Sequence, residues 1–335
     1  MGLHRDLQTV VDWAWLRRAD LMRDALATGQ PKGLTHLDRG NRAVNEIYGY
    51  ICGATARNPP DERTMQKFSE TLRRKLRNQL TGAEYQCQTN VMKRMRSLDN
   101  FPEWRGWVGA FIHFITPYNV MCRERVYLNL KEQTRANAFA AILKKIWHLP
   151  GLYSAKVAAP GSRKTDTAVI YCDTRETREE VVKIVKKYQK RYARYFDTQL
   201  PKLVASDGKG IGHGAEPPDM HPERRDSQSF ARGHTDGQSF GYYRATLIFI
   251  ALERTQFPEN MNHDCRRAGM DLRRFQNANG RHGMQLDIEG EQKRKLDAVA
   301  QRAQKAEFEV RVEEVFRLAG LSAEHPETQG AVIVS

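Results

Sequence analysis

The sequence has few cysteines, and they are not clustered. Cys52, Cys87, Cys122, Cys172 and Cys265 are scattered over 335 residues, with no C-x-x-C pair among them. Structural zinc sites and disulfide frameworks both need closely or regularly spaced cysteines. Neither is therefore indicated, and reduced thiols in a cytoplasmic protein are the simplest interpretation.

Long apolar runs are also absent from the sequence. No stretch is long and apolar enough to span a membrane. The residues after Met1 lack the apolar core of a signal peptide, and Asp6 stands where a myristoylation signal has serine or threonine. A Walker motif, a zinc cluster and a dinucleotide fingerprint are missing as well. We therefore expect no metal or other cofactor and no membrane partner.

Acidic residues are outnumbered by basic ones. The chain has 54 lysines and arginines against 40 aspartates and glutamates, a formal net charge of +14. Such a surplus favours anionic partners such as nucleic acid, a phosphopeptide or an acidic protein, although a solvated basic surface explains it equally well. The cations are scattered over several predicted helices rather than forming a nucleic-acid reader motif, which disfavours nucleic acid.

Residues 1–120 are predicted to form a helical N-terminal region. Three segments have apolar residues at helical spacing: Leu7–Ala27, Asn41–Cys52 and Glu62–Leu80. Tyr85–Arg96 is also predicted to be helical, and the aromatic residues from Trp104 to Phe114 recur at helical spacing, which indicates core packing. No pattern in this region indicates chemistry.

Residues 121–335 are predicted to form a sheet domain. Alternating runs occur at Arg125–Leu130, Tyr153–Val157 and Thr167–Tyr171, and helical patterns at Ala136–Trp147 and Glu176–Tyr195. This order predicts an α+β fold, in which a helical N-terminal region packs with an antiparallel-rich sheet flanked by helices.

Three cations and one phenol fall on these strands or at their ends. Arg125 and Tyr127 lie on the first run, Lys156 on the second, and Arg163 in the turn before the third. Adjacent strands bring such residues within reach of one anion, and their donors suit a phosphate. We therefore predict a phosphate site at these residues.

A glycine-rich stretch, Lys209–Pro218, and a polar extension to Gly237 follow the sheet elements. We predict a mobile loop over residues 209–237 that covers the phosphate pocket as a lid. Its glycines let the backbone approach a ligand or simply make turns, and no G-K-[ST] follows them. A helix over Ala245–Glu253 comes next, where Ser239 could cap the start and help to receive an anion.

Three short sequence blocks resemble a known family. The first contains Lys156–Pro160, Arg163 and Thr165–Tyr171; the second contains Gly210–Gly212, Ala215–Pro217, Ser239–Gly241 and Arg244; the third contains Ala319–Leu321 and Glu324–Pro326. They resemble the HopA family of type III secretion effectors from plant pathogens. They equally resemble the HopA-like lyases of class V lanthipeptide and thioamitide biosynthesis.

A more distant resemblance is to the phosphothreonine lyase effectors. In that family a strand carries a Lys-x-His motif, whose lysine takes the α-proton and whose histidine protonates the leaving phosphate. Arg125-Val126-Tyr127 stands at that place here, and arginine is a poor base because its pKa is above about 12. Lys156 and Arg163 match the cations that hold phosphate. The resemblance therefore implies a phosphate site and leaves the proton-transfer roles open.

Eliminating phosphate from phosphoserine or phosphothreonine needs a base for the weakly acidic α-proton and cations for the developing charge, but no metal. Lys156 is the candidate base, since neighbouring cations would lower its pKa; an ordinary phosphate contact is the alternative. Tyr127 is a candidate acid or a packing residue. His213 is a second candidate acid or a loop histidine in water.

The other candidates would bind or orient. Asp166 and Glu216 are expected to orient the cations, although Asp166 could equally be a turn residue. Arg244 is a further phosphate ligand or a helix-face salt bridge, and Ser239 is a ligand at the helix start.

Two functions follow from these residues and resemblances. The first is a phospho-Ser/Thr lyase that makes dehydroamino acids in a ribosomally made precursor peptide, in the cytoplasm, with a kinase-like partner. The alternative is a non-catalytic HopA-type effector that is secreted into a host cell and binds a host or chaperone protein. Against this alternative, the residues after Met1 lack the serine-rich character of a secretion signal.

Overall fold

The computed structural model describes residues 3–23, 42–53, 60–88, 92–95, 111–118, 120–162, 164–216, 240–256, 290–319 and 321–328. The helices are α1 (Arg5–Leu16), α2 (Arg18–Leu21), α3 (Arg42–Ile51), α4 (Glu62–Leu76), α5 (Arg135–Ile146), α6 (Arg175–Arg191), α7 (Phe240–Gln256) and α8 (Gly290–Leu318). The strands are β1 (Glu84–Gln88), β2 (Met92–Met95), β3 (Phe111–Ile115), β4 (Glu124–Leu128), β5 (Leu152–Ala158), β6 (Ala168–Cys172), β7 (Ala205–Gly208) and β8 (Ile211–Ala215). Within the described ranges, no helix has both the length and the apolar character needed to cross a membrane.

One sheet contains all eight of these strands, in the order β2-β1-β3-β5-β6-β4-β8-β7. Every neighbouring pair in this order is antiparallel. The α+β fold and the antiparallel-rich sheet predicted from the sequence are therefore confirmed. Because β4 pairs with both β6 and β8, the strand that carries Arg125 and Tyr127 lies inside the sheet.

Helices α4, α5 and α6 supply the hydrophobic core on one face of this sheet. Phe139 and Ile146 of α5 are fully buried, at the helical spacing that the sequence predicts. Val126 and Leu128 of β4, and Ile170 of β6, belong to the same core and so point toward these helices. Successive strand residues point to opposite faces, so the intervening positions of β4 and β6 face away from the helices.

The region before residue 120 is less helical than the sequence predicts. The helix predicted over Tyr85–Arg96 is wrong, because Glu84–Gln88 and Met92–Met95 are strands that pair with each other. Phe111–Ile115 is also a strand, and its first four residues are buried, so side chains on both of its faces are covered. A continuously apolar strand has no period-2 pattern, which is why its aromatic residues resemble a helix.

The glycine-rich stretch is also more regular than predicted. Instead of a loop from Lys209 onward, residues Ile211–Ala215 form β8, which pairs with β7 and β4. Gly210 has a φ of +64°, and a Cβ there would meet the carbonyl oxygens of Asp197 and Asn129. Only glycine fits this turn without strain. The predicted lid beyond Glu216, residues 217–237, lies outside the described residues.

Packing divides the chain into two compact units. One is Cys52–Glu216, which contains the whole sheet together with α4, α5 and α6. The other combines Met1–Ile51 with Pro217–Ser335 and contains the remaining helices. These units do not follow the predicted division at residue 120, because β1–β3 precede that point and yet pair into the same sheet.

Candidate functional site

The sheet brings Arg125, Tyr127 and Lys156 to the same face. Directly opposite residues of an antiparallel pair share a face. Tyr127 of β4 and Lys156 of β5 both lie opposite Val169 of β6, and Arg125 lies opposite Tyr171. These positions alternate with the core residues of β4 and β6, so they point away from α5 and α6. We call this side of the sheet the Lys156 face.

Lys156 lies between two aromatic rings on this face. Its Nζ is 4.5 Å from the centroid of Phe111 and 5.5 Å from that of Tyr171. The pKa of Lys156 is lowered to about 7, and burial is the largest cause. Asp166 opposes this shift, Arg125 and Lys164 add to it, and Glu216 opposes it. The sequence predicts that neighbouring cations cause such a shift, but loss of hydration is the larger cause. At neutral pH roughly half of such a lysine is uncharged and can accept a proton.

Arg125 is held by a carboxylate. Its Nε and Nη2 donate to the two carboxylate oxygens of Glu216, and its Cζ lies 4.9 Å from the centroid of the Tyr171 ring. Burial disfavours the charged guanidinium, but Glu216, Tyr127 and Tyr171 together keep the pKa of Arg125 well above its usual value. Arg125 is therefore a fixed charge. A phosphate on its Nε–Nη2 edge would have to displace Glu216.

Glu216 is held in turn by its neighbours. The Cys122 thiol donates to Glu216 Oε2 over 3.6 Å, and the Glu216 backbone N–H donates to Arg123 O over 2.7 Å. Burial is the main cause that raises the pKa of the Cys122 thiol, and Glu216 adds to it, so this thiol stays protonated. Glu216 is therefore paired with a cation, and its role in orienting that cation for a substrate stays a prediction.

Tyr127 lies in the same cross-strand row as Lys156, with Val169 between them. Two strand spacings separate their backbones by roughly 9–10 Å. Tyr127 is almost fully buried.

The structure does not bring His213 to the Lys156 face. His213 lies opposite Val126, so it points to the side of the sheet that α5 and α6 cover. Its Nδ1 is 2.6 Å from Asp207 Oδ2, and Lys186 Nζ of α6 is 4.0 Å from Asp207 Oδ1. A loop would leave the direction of His213 free, but in a strand the period of two fixes it.

The remaining candidates are divided between the units. Asp166 is buried beside the sheet, with no hydrogen bond to its Oδ1 from the described residues, and its charge raises the pKa of Lys156 against the effect of burial. Arg244 belongs to α7 of the helical unit, where it is fully buried and its Nε donates to Pro326 O. Its roles as a phosphate ligand or a helix-face salt bridge stay predictions. Arg163 and Ser239 lie outside the described residues, and their phosphate roles stay predictions.

Three further residues of the Lys156 face have no role predicted from the sequence. His113 of β3 lies directly opposite Lys156 and is 3% exposed. Phe111 contacts the lysine ammonium from the same strand, and Tyr171 lies beside both Lys156 and Arg125. The feature of the sequence that could have indicated this site is His113, a polar residue in the middle of the apolar run Phe111–Ile115. The spacing of the aromatic residues there favours a helix instead, so the strand is not predicted.

Comparisons with known proteins find a family that part of this chain is similar to. Residues 118–276 match the HopA1 effector protein family. This match confirms the resemblance to HopA effectors seen in the sequence. The matched segment contains β4–β8, and therefore Arg125, Tyr127 and Lys156, but not β3 with Phe111 and His113.

Solved structures of effector proteins have a similar fold. The effector protein from Pseudomonas syringae pv. tomato strain DC3000 aligns with a TM-score of 0.55 and 16% identity, over 96% of this chain and 100% of that chain. The effector protein from Pseudomonas syringae pv. syringae strain 61 aligns with a TM-score of 0.49 and 14% identity, over 94% of this chain and 96% of that chain. At this identity the first likeness shows the fold alone. No curated protein sequence matches the chain.

Proposed function

We propose that this protein is a HopA-type effector that acts inside a host cell on a host or chaperone protein. The family match over residues 118–276 carries this proposal. The fold likeness to an effector protein, which extends over 96% of the chain, supports it.

Delivery into a host cell can be tested with a reporter. The full chain is fused to a calmodulin-dependent adenylate cyclase and expressed in a bacterium with a type III secretion apparatus. We expect cyclic AMP to accumulate in host cells, and not when the apparatus is inactivated. If an established effector fusion is delivered in parallel and this one is not, the effector proposal is wrong.

The environment of Lys156 favours a second candidate function, elimination of phosphate from phosphoserine or phosphothreonine. A general base works best when its pKa is close to the working pH, and the pKa of Lys156 is about 7. Lys164 supplies a further cation near the site, since its Nζ lies 5.9 Å from the Phe111 ring that also contacts Lys156. The substrate would be a phosphorylated protein or precursor peptide that a kinase-like partner prepares.

The proposed reaction uses residues on one face of the sheet. Lys156 Nζ takes the α-proton, and the electrons of the Cα–H bond form a Cα=Cβ double bond. The Cβ–O bond breaks, and phosphate leaves with its electron pair. The Tyr127 hydroxyl or water supplies the proton that phosphate takes up, and the fixed charge of Arg125 offsets the developing negative charge. His213 has no part in this scheme because it points to the other face.

Mass spectrometry separates this reaction from hydrolysis. Elimination leaves a product that is lighter by one water than the unphosphorylated peptide, whereas a phosphatase returns the hydroxyl. Lys156→Ala should lower the rate by on the order of a hundredfold or more. Lys156→Arg keeps the positive charge but cannot accept a proton at neutral pH, so it should bind phosphopeptide without converting it.

The outcome of the same assay decides between the two candidates. An active Lys156→Arg variant would make Lys156 a phosphate contact, and the base would then have to be another residue. If the unaltered protein converts no phosphopeptide, with or without a candidate kinase, the non-catalytic effector is the better description.

A further inference from the structure

Helix α6 has a basic surface opposite the side that packs on the sheet. Val181, Val182, Val185 and Tyr188 form its buried side. Lys187, Lys190 and Arg191 of this helix are exposed, and so is Arg194 in the short 3-10 helix Ala193–Tyr195 that follows. We call these four cations the α6 basic patch. Because α6 covers the sheet face opposite Lys156, this patch lies on the far side of the sheet from the candidate active site.

Neighbouring cations of α6 have carboxylate partners, whereas the residues that the structure describes offer the patch none. Lys183 lies 3.3 Å from Glu180, and Lys186 lies 4.0 Å from Asp207. None of the four patch residues forms an ion pair with any carboxylate in the part of the chain that the structure describes. Cations near a helix C-terminus also complement the helix dipole, which accounts for Lys190 and Arg191 in part but not for Arg194 beyond the helix.

Tyrosine rings position the two arginines of the patch. The ring centroid of Tyr192 lies 4.7 Å from that of Tyr188. Tyr192 is also stacked on Tyr195, with 5.3 Å between the ring centroids. Arg191 Cζ is 5.4 Å from the Tyr192 centroid, and Arg194 Cζ is 5.6 Å from the Tyr195 centroid. A guanidinium that already rests on a ring loses less conformational freedom when it binds a ligand.

The ring contacts favour carboxylates over nucleic-acid bases. Proteins that bind single-stranded nucleic acid offer open aromatic faces on which bases stack. The faces of Tyr192 are instead turned to Tyr188 and Tyr195. The α6 basic patch presents two guanidinium groups and two ammonium groups. A guanidinium group binds a carboxylate in a bidentate manner, through two parallel hydrogen bonds.

We propose that the α6 basic patch is a docking surface for an acidic, glutamate- or aspartate-rich segment of a partner protein or peptide. It would hold the partner at one side of the sheet, independently of any chemistry at Lys156. Charge complementarity would make this binding strongly dependent on ionic strength.

The test uses the full chain and two fluorescently labelled probes at low ionic strength: a glutamate-rich peptide and an oligothymidylate. Binding is followed by fluorescence anisotropy. The test variant is Lys190→Glu with Arg191→Glu. The matched control is Lys144→Glu with Lys145→Glu, which changes the same charge at two exposed cations in the last turn of α5. Lys190→Gln with Arg191→Gln removes the cations without adding charge at a helix end.

We expect the Lys190/Arg191 reversal to weaken peptide binding at least about tenfold, because exposed charge pairs contribute up to about a factor of five each and reversal adds repulsion. The glutamine variant should have a smaller loss in the same direction, and the Lys144/Lys145 control should bind within about twofold of the unaltered protein. Equal losses in both reversals would mean that net charge alone drives binding and would overturn the proposal. Oligothymidylate that binds more tightly than the peptide, and is lost with the same variant, would make the patch a nucleic-acid surface instead.

Discussion

The buried ammonium of Lys156 should make the stability of this protein depend on pH in a defined window. An unfolded lysine has a pKa near 10.5, whereas burial lowers the pKa of folded Lys156 to about 7. Between these values the unfolded chain binds more protons than the folded one, so stability rises with pH. Below about pH 7 the full cost of burying the charge is present, and above about pH 10.5 it is gone. Lys156→Met removes the charge at similar volume and therefore removes this dependence.

The size of the effect follows from the two pKa values. A difference of one unit corresponds to about 1.4 kcal/mol, and Lys156 is still protonated in the unfolded chain at about pH 9.5. From about pH 7 to about pH 9.5, the stability advantage of Lys156→Met over the unaltered protein should fall by about 2–3 kcal/mol. This range allows for solvent screening of a side chain that keeps part of its exposure.

Urea unfolding followed by circular dichroism at the two pH values measures this change directly. Lys145→Met, at an exposed lysine in the last turn of α5, is the matched control, and its offset from the unaltered protein should stay constant. An offset for Lys156→Met that is the same at both pH values would refute the argument that burial keeps this ammonium from water.

Four further outcomes are expected. Arg125→Ala leaves the Glu216 carboxylate without its buried partner and should lower the free energy of unfolding by about 3–5 kcal/mol, measured by urea; a loss below about 1 kcal/mol would contradict the paired geometry. His213→Ala should leave elimination within about twofold, since this side chain points to the opposite face; a tenfold loss by mass spectrometry would place it in the site. The elimination rate should rise with pH and level off above about 7, where Lys156 has lost its proton, so a flat profile would argue against it as the base. Gly210→Ala should lower stability by at least about 2 kcal/mol, because φ is +64° and the new Cβ meets Asp197 O; an unchanged thermal midpoint would be incompatible with that turn.

Alternation along the strands is enough to place Arg125, Tyr127 and Lys156 on one face. Each lies in a run where apolar and polar residues alternate. Because successive side chains of a strand point to opposite faces, the apolar residues face the core and these three residues face away from it. The rule fails at Phe111–Ile115, which is buried on both faces and has no period of two. His113 and Phe111 escape prediction for that reason, although they are the neighbours of Lys156.

Long-range pairing explains the other misses. The ion pair of Arg125 with Glu216 joins positions 91 residues apart, and no local pattern encodes it. Three glycines indicate a loop around His213, and a loop would let it reach the site. The β4–β8 register turns it away instead, since a strand leaves no freedom of direction. The burial that lowers the pKa of Lys156 is likewise a property of the assembled sheet rather than of the lysine and its sequence neighbours.

The position of β4 between β6 and β8 has a consequence for the order of folding. Strand β8 and Glu216 come from the last part of the sheet unit, so until they dock β4 has an open edge and Arg125 has no counter-ion. Burying an unpaired guanidinium costs several kcal/mol, so a partly folded chain without β8 should keep Arg125 hydrated and that edge exposed to water. Docking of β8 then closes the edge and neutralises the charge in one step. The pairing of β4 with β8 joins residues that are far apart in the sequence, so it should form late. Its formation should limit the rate at which the whole sheet unit folds.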